Sequence, residues 1–172
     1  MKRLFLLAGA LALLGAGCAK QAPAPLTMSG SYSQSAYGFA FEYPAETMDA
    51  HERASAIQDF AYLGLPVKYF VTLRDTVRDM GATNLAAFYA AENLSTDAFI
   101  EALVASGAKR EDVAQEAVKN GEIAMTKVTS PTESGETKTH YLFDHSGKTI
   151  IISVYLFEDE AFKPVLATFK KP

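Results

Sequence analysis

Ile150-Ile151-Ile152-Ser153-Val154-Tyr155-Leu156-Phe157 is apolar on both of its alternating faces. Ile150, Ile152, Val154 and Leu156 share one face, and Ile151, Tyr155 and Phe157 share the other. A strand of this kind is central in its sheet and covered on both sides. Thr137–Phe143 precedes it across Asp144-His145-Ser146-Gly147, so the two runs form a hairpin. The apolar stripe of the closing segment, Phe162, Val165, Leu166 and Phe169, has helical spacing. Its acids Glu158, Asp159 and Glu160 lie at the start and Lys170 and Lys171 at the end, as a helix macrodipole prefers. Pro164 is compatible with this helix only in its first turn.

Upstream, Tyr37-Gly38-Phe39-Ala40-Phe41-Glu42-Tyr43-Pro44 alternates with Phe39, Phe41 and Tyr43 in phase, and Pro44 ends the strand. Ile57–Leu63 reads as a second strand. Val67–Leu73 reads as a third, with Val67, Tyr69, Val71 and Leu73 on one face. Leu85, Phe88 and Tyr89 at i, i+3, i+4 after Thr83 or Asn84 predict a helix. Ser95 caps another, with Leu94 and Phe99 as a staple, a stripe of Phe99, Ile100, Leu103 and Val104, and Gly107 as its stop. Asn120-Gly121 is a strong hairpin signal between Asp112–Lys119 and Glu122–Thr129, although the first arm also reads as a helix. The expected fold class is α+β: a mainly antiparallel sheet with helices on both faces, an α/β/α sandwich.

The 172 residues and 49% hydrophobic content allow one packed domain. A single cysteine excludes a disulfide framework. Sixteen basic against twenty acidic residues leave no broad basic face for nucleic acid. The size also disfavours a two-lobed transporter-binding component.

Lys2 and Arg3 precede the apolar run Leu4–Leu14, which has export-signal length and falls short of the roughly 20 apolar residues of a membrane span. Gly15-Ala16-Gly17 then leads into the lone cysteine, Cys18. By themselves these residues also suit an ordinary secretory signal or a membrane-anchored N-terminus. Leu14-Gly15-Ala16-Gly17-Cys18 resembles the lipobox of bacterial lipoproteins. The family prefers Leu three places before the cysteine; here Gly15 stands there, with Leu14 one place earlier. The resemblance implies cleavage between Gly17 and Cys18, with lipidation of Cys18 by diacylglycerol and then a further acyl chain such as palmitate. Two chains, at about 0.8 kcal/mol per buried methylene, anchor stably. Cleavage removes two positive charges from a chain of net charge −4, so headgroup attraction adds nothing. In the family an Asp after the cysteine often retains the protein at the inner membrane. Ala19 stands there, which favours the periplasmic side of an outer membrane where the organism has one.

Residues 1–17 are thus expected as a signal peptide and 18–35 as a lipidated cysteine with a flexible tether. Residues 36–172 are expected as a single globular α/β domain. Ala-Pro-Ala-Pro within the tether favours extension at about 3.1 Å per residue, a reach of roughly 30–40 Å for a dozen residues. The Tyr37–Pro44 strand, the mid-chain helix, the two late hairpins and the closing Leu166-Ala167-Thr168-Phe169-Lys170 resemble PsbP-like or Mog-like α/β/α domains of small bacterial lipoproteins. Members of that group bind protein partners or assist assembly, and the resemblance transfers no catalytic residue.

The residues themselves offer little chemistry. His140, Leu142 and Asp144 share a strand face and His145 follows, a candidate set for an envelope hydrolase or a metal, but a catalytic zinc wants three ligands. His51-Glu52-Arg53 lacks the second histidine of a metalloprotease helix, and neither Ser134-Gly135 nor Ser29-Gly30-Ser31 makes a nucleophile elbow. No phosphate loop is present. Arg74-Asp75 and Arg78-Asp79 suit a salt-bridged surface turn. The aromatics Tyr37, Phe39, Phe41, Tyr43, Tyr69, Phe70, Tyr141, Phe143, Tyr155 and Phe157 suit a core. The expectation is a noncatalytic, lipid-anchored envelope module that binds a protein or a small apolar ligand, with no metal, no cofactor and no nucleic acid.

Overall fold

A computed structural model describes residues 26–52, 58–77, 83–132, 134–155 and 159–171. Gly17, Cys18 and the first part of the expected tether lie outside them, as do Arg53, Arg78, Asp79, Leu156 and Phe157. In chain order the elements are β1 (Gly30–Gln34), β2 (Phe39–Tyr43), β3 (Met48–Glu52), β4 (Gln58–Tyr62), β5 (Leu65–Asp75) and β6 (Thr83–Glu92). Then come α1 (Thr96–Ala105), β7 (Ala114–Asn120), β8 (Ile123–Pro131), β9 (Thr137–His145), β10 (Lys148–Val154) and α2 (Asp159–Leu166).

β10 lies between β6 and β9 in a sheet ordered β3-β5-β6-β10-β9-β8-β7, every pairing antiparallel. β4 pairs with the first half of β5, along the edge whose second half takes β3. Ile150, Ile151 and Ile152 are fully buried, because β10 has a hydrophobic layer above and below it.

The two layers differ from the expected sandwich. One face packs against the β1–β2 ribbon, with the two-turn α2 beside it. Phe41 stacks on Phe88 of β6 at 5.0 Å and on Phe169 at 5.1 Å. The tail after α2 is tied to the ribbon by backbone hydrogen bonds between Lys170 and Ala40 of 2.9 and 3.0 Å. The other face carries α1 and the turn end of the β4–β5 hairpin. Among the described residues there are just these two α-helices, of ten and eight residues. The chain is therefore mostly antiparallel sheet, and the α/β/α sandwich with helical layers on both faces is corrected. Much of the cover comes from β-ribbon and hairpin.

The main cause is β6. Thr83–Glu92, expected to hold a helix, is a strand with Leu85 to Ala91 all buried. A central strand buried on both faces has no alternation, so Leu85, Phe88 and Tyr89 match helical spacing without being helical. Tertiary pairing overrides the helix preference of its alanines. β5 differs too. A register shift between Tyr69 and Val71 turns the strand over, so Val67 and Tyr69 face α1 while Val71 and Leu73 face the ribbon. His51 and Glu52 are exposed at the end of β3. Gly30–Gln34, within the stretch expected as tether, forms β1 and pairs with β2. Pro164 falls near the end of α2, not in its first turn.

Local signals act as their chemistry dictates elsewhere. Ser95 Oγ accepts the Ala98 N–H at 3.1 Å, and Phe99, Ile100 and Leu103 bury the face of α1. Gly121 adopts φ +57° between β7 and β8, both of which are strands. Ser146 and Gly147 have φ +52° and +77°, the left-handed pair of a tight two-residue hairpin.

Candidate functional site

The α1 face of the sheet carries a polar nest. His140 projects from β9 toward α1, with Val128 of β8 and Ser153 of β10 as its cross-strand neighbours. Its ring meets Phe99 of α1 edge-on at 5.1 Å and has no solvent exposure. Among the described residues, neither Nδ1 nor Nε2 has a protein hydrogen-bond partner. Burial, reinforced by the positive charge of Lys138, pushes the His140 pKa down to about 3. The imidazole is neutral across the physiological range.

Tyr62 reaches this nest from the end of β4. The connection to β5 is a two-residue turn in which Leu63 and Gly64 have φ +52° and +75°. Leu63 and Leu65 pack with Tyr62 against the α1-side core, so the hairpin end bends over the sheet. The Tyr62 ring stacks on Tyr89 of β6 at 4.5 Å, and its hydroxyl lies 2.7 Å from Ser153 Oγ. Burial raises the Tyr62 pKa to about 12, against the opposing effect of the Ser153 hydrogen bond. Lys138 Nζ sits 5.7 Å from the Tyr62 ring centroid, and burial lowers the lysine pKa.

This arrangement holds groups better than it transforms them. Ser153 Oγ is engaged with Tyr62 and has no hydrogen bond to His140, so there is no activated nucleophile pair. An imidazole with so low a pKa is a poor base near neutrality. The three residues expected for a hydrolase do not converge. Asp144 is exposed four residues along β9 from His140, and accepts a hydrogen bond from Thr149 at 2.8 Å. His145 lies on the opposite face, where its ring leaves no room for a side chain at Gly38. Arg74 is held by Asp49, with Nε donating to Oδ1 at 2.8 Å; Arg78 and Asp79 lie outside the described residues. Among the described residues no group of three or more His, Cys, Asp or Glu side chains is placed to hold a metal. No helix among them is long and apolar enough to cross a membrane.

Sequence reasoning missed Tyr62, Lys138 and Ser153. The one visible trace was Ser153, a polar residue in an otherwise apolar central strand.

Beside the nest, β4 leaves its outer edge unpaired among the described residues. Phe60 on this strand is 49% exposed and stacks at 6.0 Å on Tyr89, the ring that also carries Tyr62. A cleft of about 250 Å³ runs next to it, lined by Tyr37, Asp59, Phe60, Pro66, Val67, Lys68, Ala90 and Glu92.

No protein-family model and no curated protein matches the chain. A solution structure of cyanobacterial PsbP (CyanoP) from Synechocystis sp. PCC 6803 is similar, with a TM-score of 0.52 and 12% identity. The match covers 90% of this chain and 99% of that one. At that identity the likeness speaks for the fold alone. The globular part of this chain has a PsbP-like fold, whose described residues form one antiparallel sheet, a covering β-ribbon and two short α-helices.

Proposed function

We propose that the chain is a noncatalytic binding module of the bacterial cell envelope, anchored by acyl chains on Cys18, which docks an envelope protein at the β4 edge. The observation that carries this reading is Phe60: a large aromatic side chain, half exposed, on a strand whose outer backbone edge is open among the described residues and next to a cleft. An open edge offers main-chain hydrogen bonds to an extended segment of another protein, and a flanking cleft supplies side-chain selectivity. Lys68 and Asp59 pair beside it, giving the rim both signs of charge.

The test places a photo-crosslinking residue at position 60 in the full-length chain, expressed in bacteria, with position 119 on the far edge strand β7 as control. The expected result is a discrete adduct with an envelope protein from position 60, absent from position 119 and lost when Ala61 is replaced by Pro. Equal labelling from both positions, or none from position 60, overturns the reading.

A further inference from the structure

We propose that Lys138, Tyr62 and His140 form a binding site for a small carboxylate, separate from the protein-docking edge. The argument begins with the donor set. Lys138 offers an ammonium, His140 a neutral ring N–H, and the hydrogen-bonded Tyr62–Ser153 pair one remaining hydroxyl proton, so the nest is rich in donors. The cation is half-buried and, among the described residues, has no carboxylate partner. It rests on the face of Tyr62 instead. The groups facing His140 from the packed elements are Phe99 from α1, Val128 from β8, Ser153 from β10 and Tyr62 from the β4–β5 hairpin. None is acidic.

His140 supplies the second, independent observation. The imidazole is fully buried and, among the described residues, neither nitrogen meets a protein partner, so a polar ligand that accepts the ring N–H would replace lost hydration. A carboxylate oxygen would receive the ring N–H and the ammonium together, in a setting where charge-assisted hydrogen bonds are strong. The site is small. Tyr62 packs on Tyr89 over the nest, and its hydroxyl already occupies Ser153. Admission of a carboxylate therefore involves a modest displacement of the hairpin end, and a short acid is favoured over a bulky one.

The test follows the His140 ring resonances of the folded full-length chain by NMR during titration with acetate. The controls at matched ionic strength are acetamide, chloride and inorganic phosphate. The expected result is a saturable shift of the His140 ring with acetate and none with acetamide. Lys138→Met should weaken the acetate midpoint by about tenfold, the loss of roughly one charge-assisted hydrogen bond. Lys138→Arg should largely retain it, and Lys119→Met, distant on β7, should leave it unchanged. Dispersed amide spectra show that each variant is folded. A response to chloride or phosphate without acetate overturns the carboxylate assignment. No saturable shift with any probe, or a midpoint indifferent to Lys138→Met, overturns the site.

Discussion

The Tyr62 hydroxyl meets Ser153 Oγ at 2.7 Å although β5 and β6 lie between their strands in the sheet. The contact exists because the end of the β4–β5 hairpin bends over the α1 face. It fastens that hairpin to the central strand, and so fixes both the cover of His140 and the inner end of the β4 edge.

Removing either hydroxyl should loosen the fastening. Ser153 is 5% exposed, so Tyr62→Phe leaves a buried hydroxyl without its partner and should cost about 1–2 kcal/mol. Ser153→Ala should cost a similar amount. The double variant should cost clearly less than the sum, since the two changes remove one interaction. Urea midpoints of the four proteins measure this, and strict additivity would show that the contact contributes nothing.

Acid should act through His140. Its folded pKa of about 3 lies below the ordinary 6.5, so the unfolded chain takes up a proton that the folded chain refuses. The sign is therefore destabilising as pH falls. Stability is unaffected by this group above about pH 6.5 and declines toward pH 3, by up to about 1.4 kcal/mol per pH unit. His140→Leu should flatten the urea-midpoint profile between pH 6 and 4 relative to the parent. An unchanged slope would place the acid sensitivity elsewhere.

On the opposite face, Gly38 and His145 are closely matched. Gly38 has φ +69°, and a Cβ there would lie 2.2 Å from the His145 ring. Gly38→Ala should cost about 1–3 kcal/mol from the left-handed backbone, with the clash in addition. His145→Ala in the same chain should recover only the clash. Thermal unfolding of the single and double variants separates the two parts.

Anchoring is expected to follow the thiol of Cys18. Intact mass of protein from the membrane fraction should show loss of residues 1–17 and the added mass of acyl chains. Cys18→Ser should retain the leader or release soluble protein. Wild-type chain recovered from the cytosol with a bare thiol would refute lipidation.

Much of the architecture was legible because its causes are local. The two apolar faces of Ile150–Val154 demand a central strand, and β10 is one. Ser95 supplies an oxygen to an N–H three residues away, so α1 begins where its cap stands. Asn120-Gly121 and Ser146-Gly147 turn the chain by their own backbone preferences. β6 was misread because complete burial erases the period that distinguishes strand from helix. The phase of β5 was misread because a register shift at Phe70 leaves no mark in composition.

The sequence by itself determined the short-range features, since caps, turns and periodic faces depend on residues a few positions apart. Tertiary structure alone decided that a ribbon and a hairpin end, not helical layers, would cover much of the sheet. It also decided that Tyr62, Lys138, His140 and Ser153 would meet. Those four come from three strands, and their approach depends on strand order, a register shift and the bend of a hairpin. Such long-range geometry arises only when the whole sheet pairs, so no local pattern of residues records it.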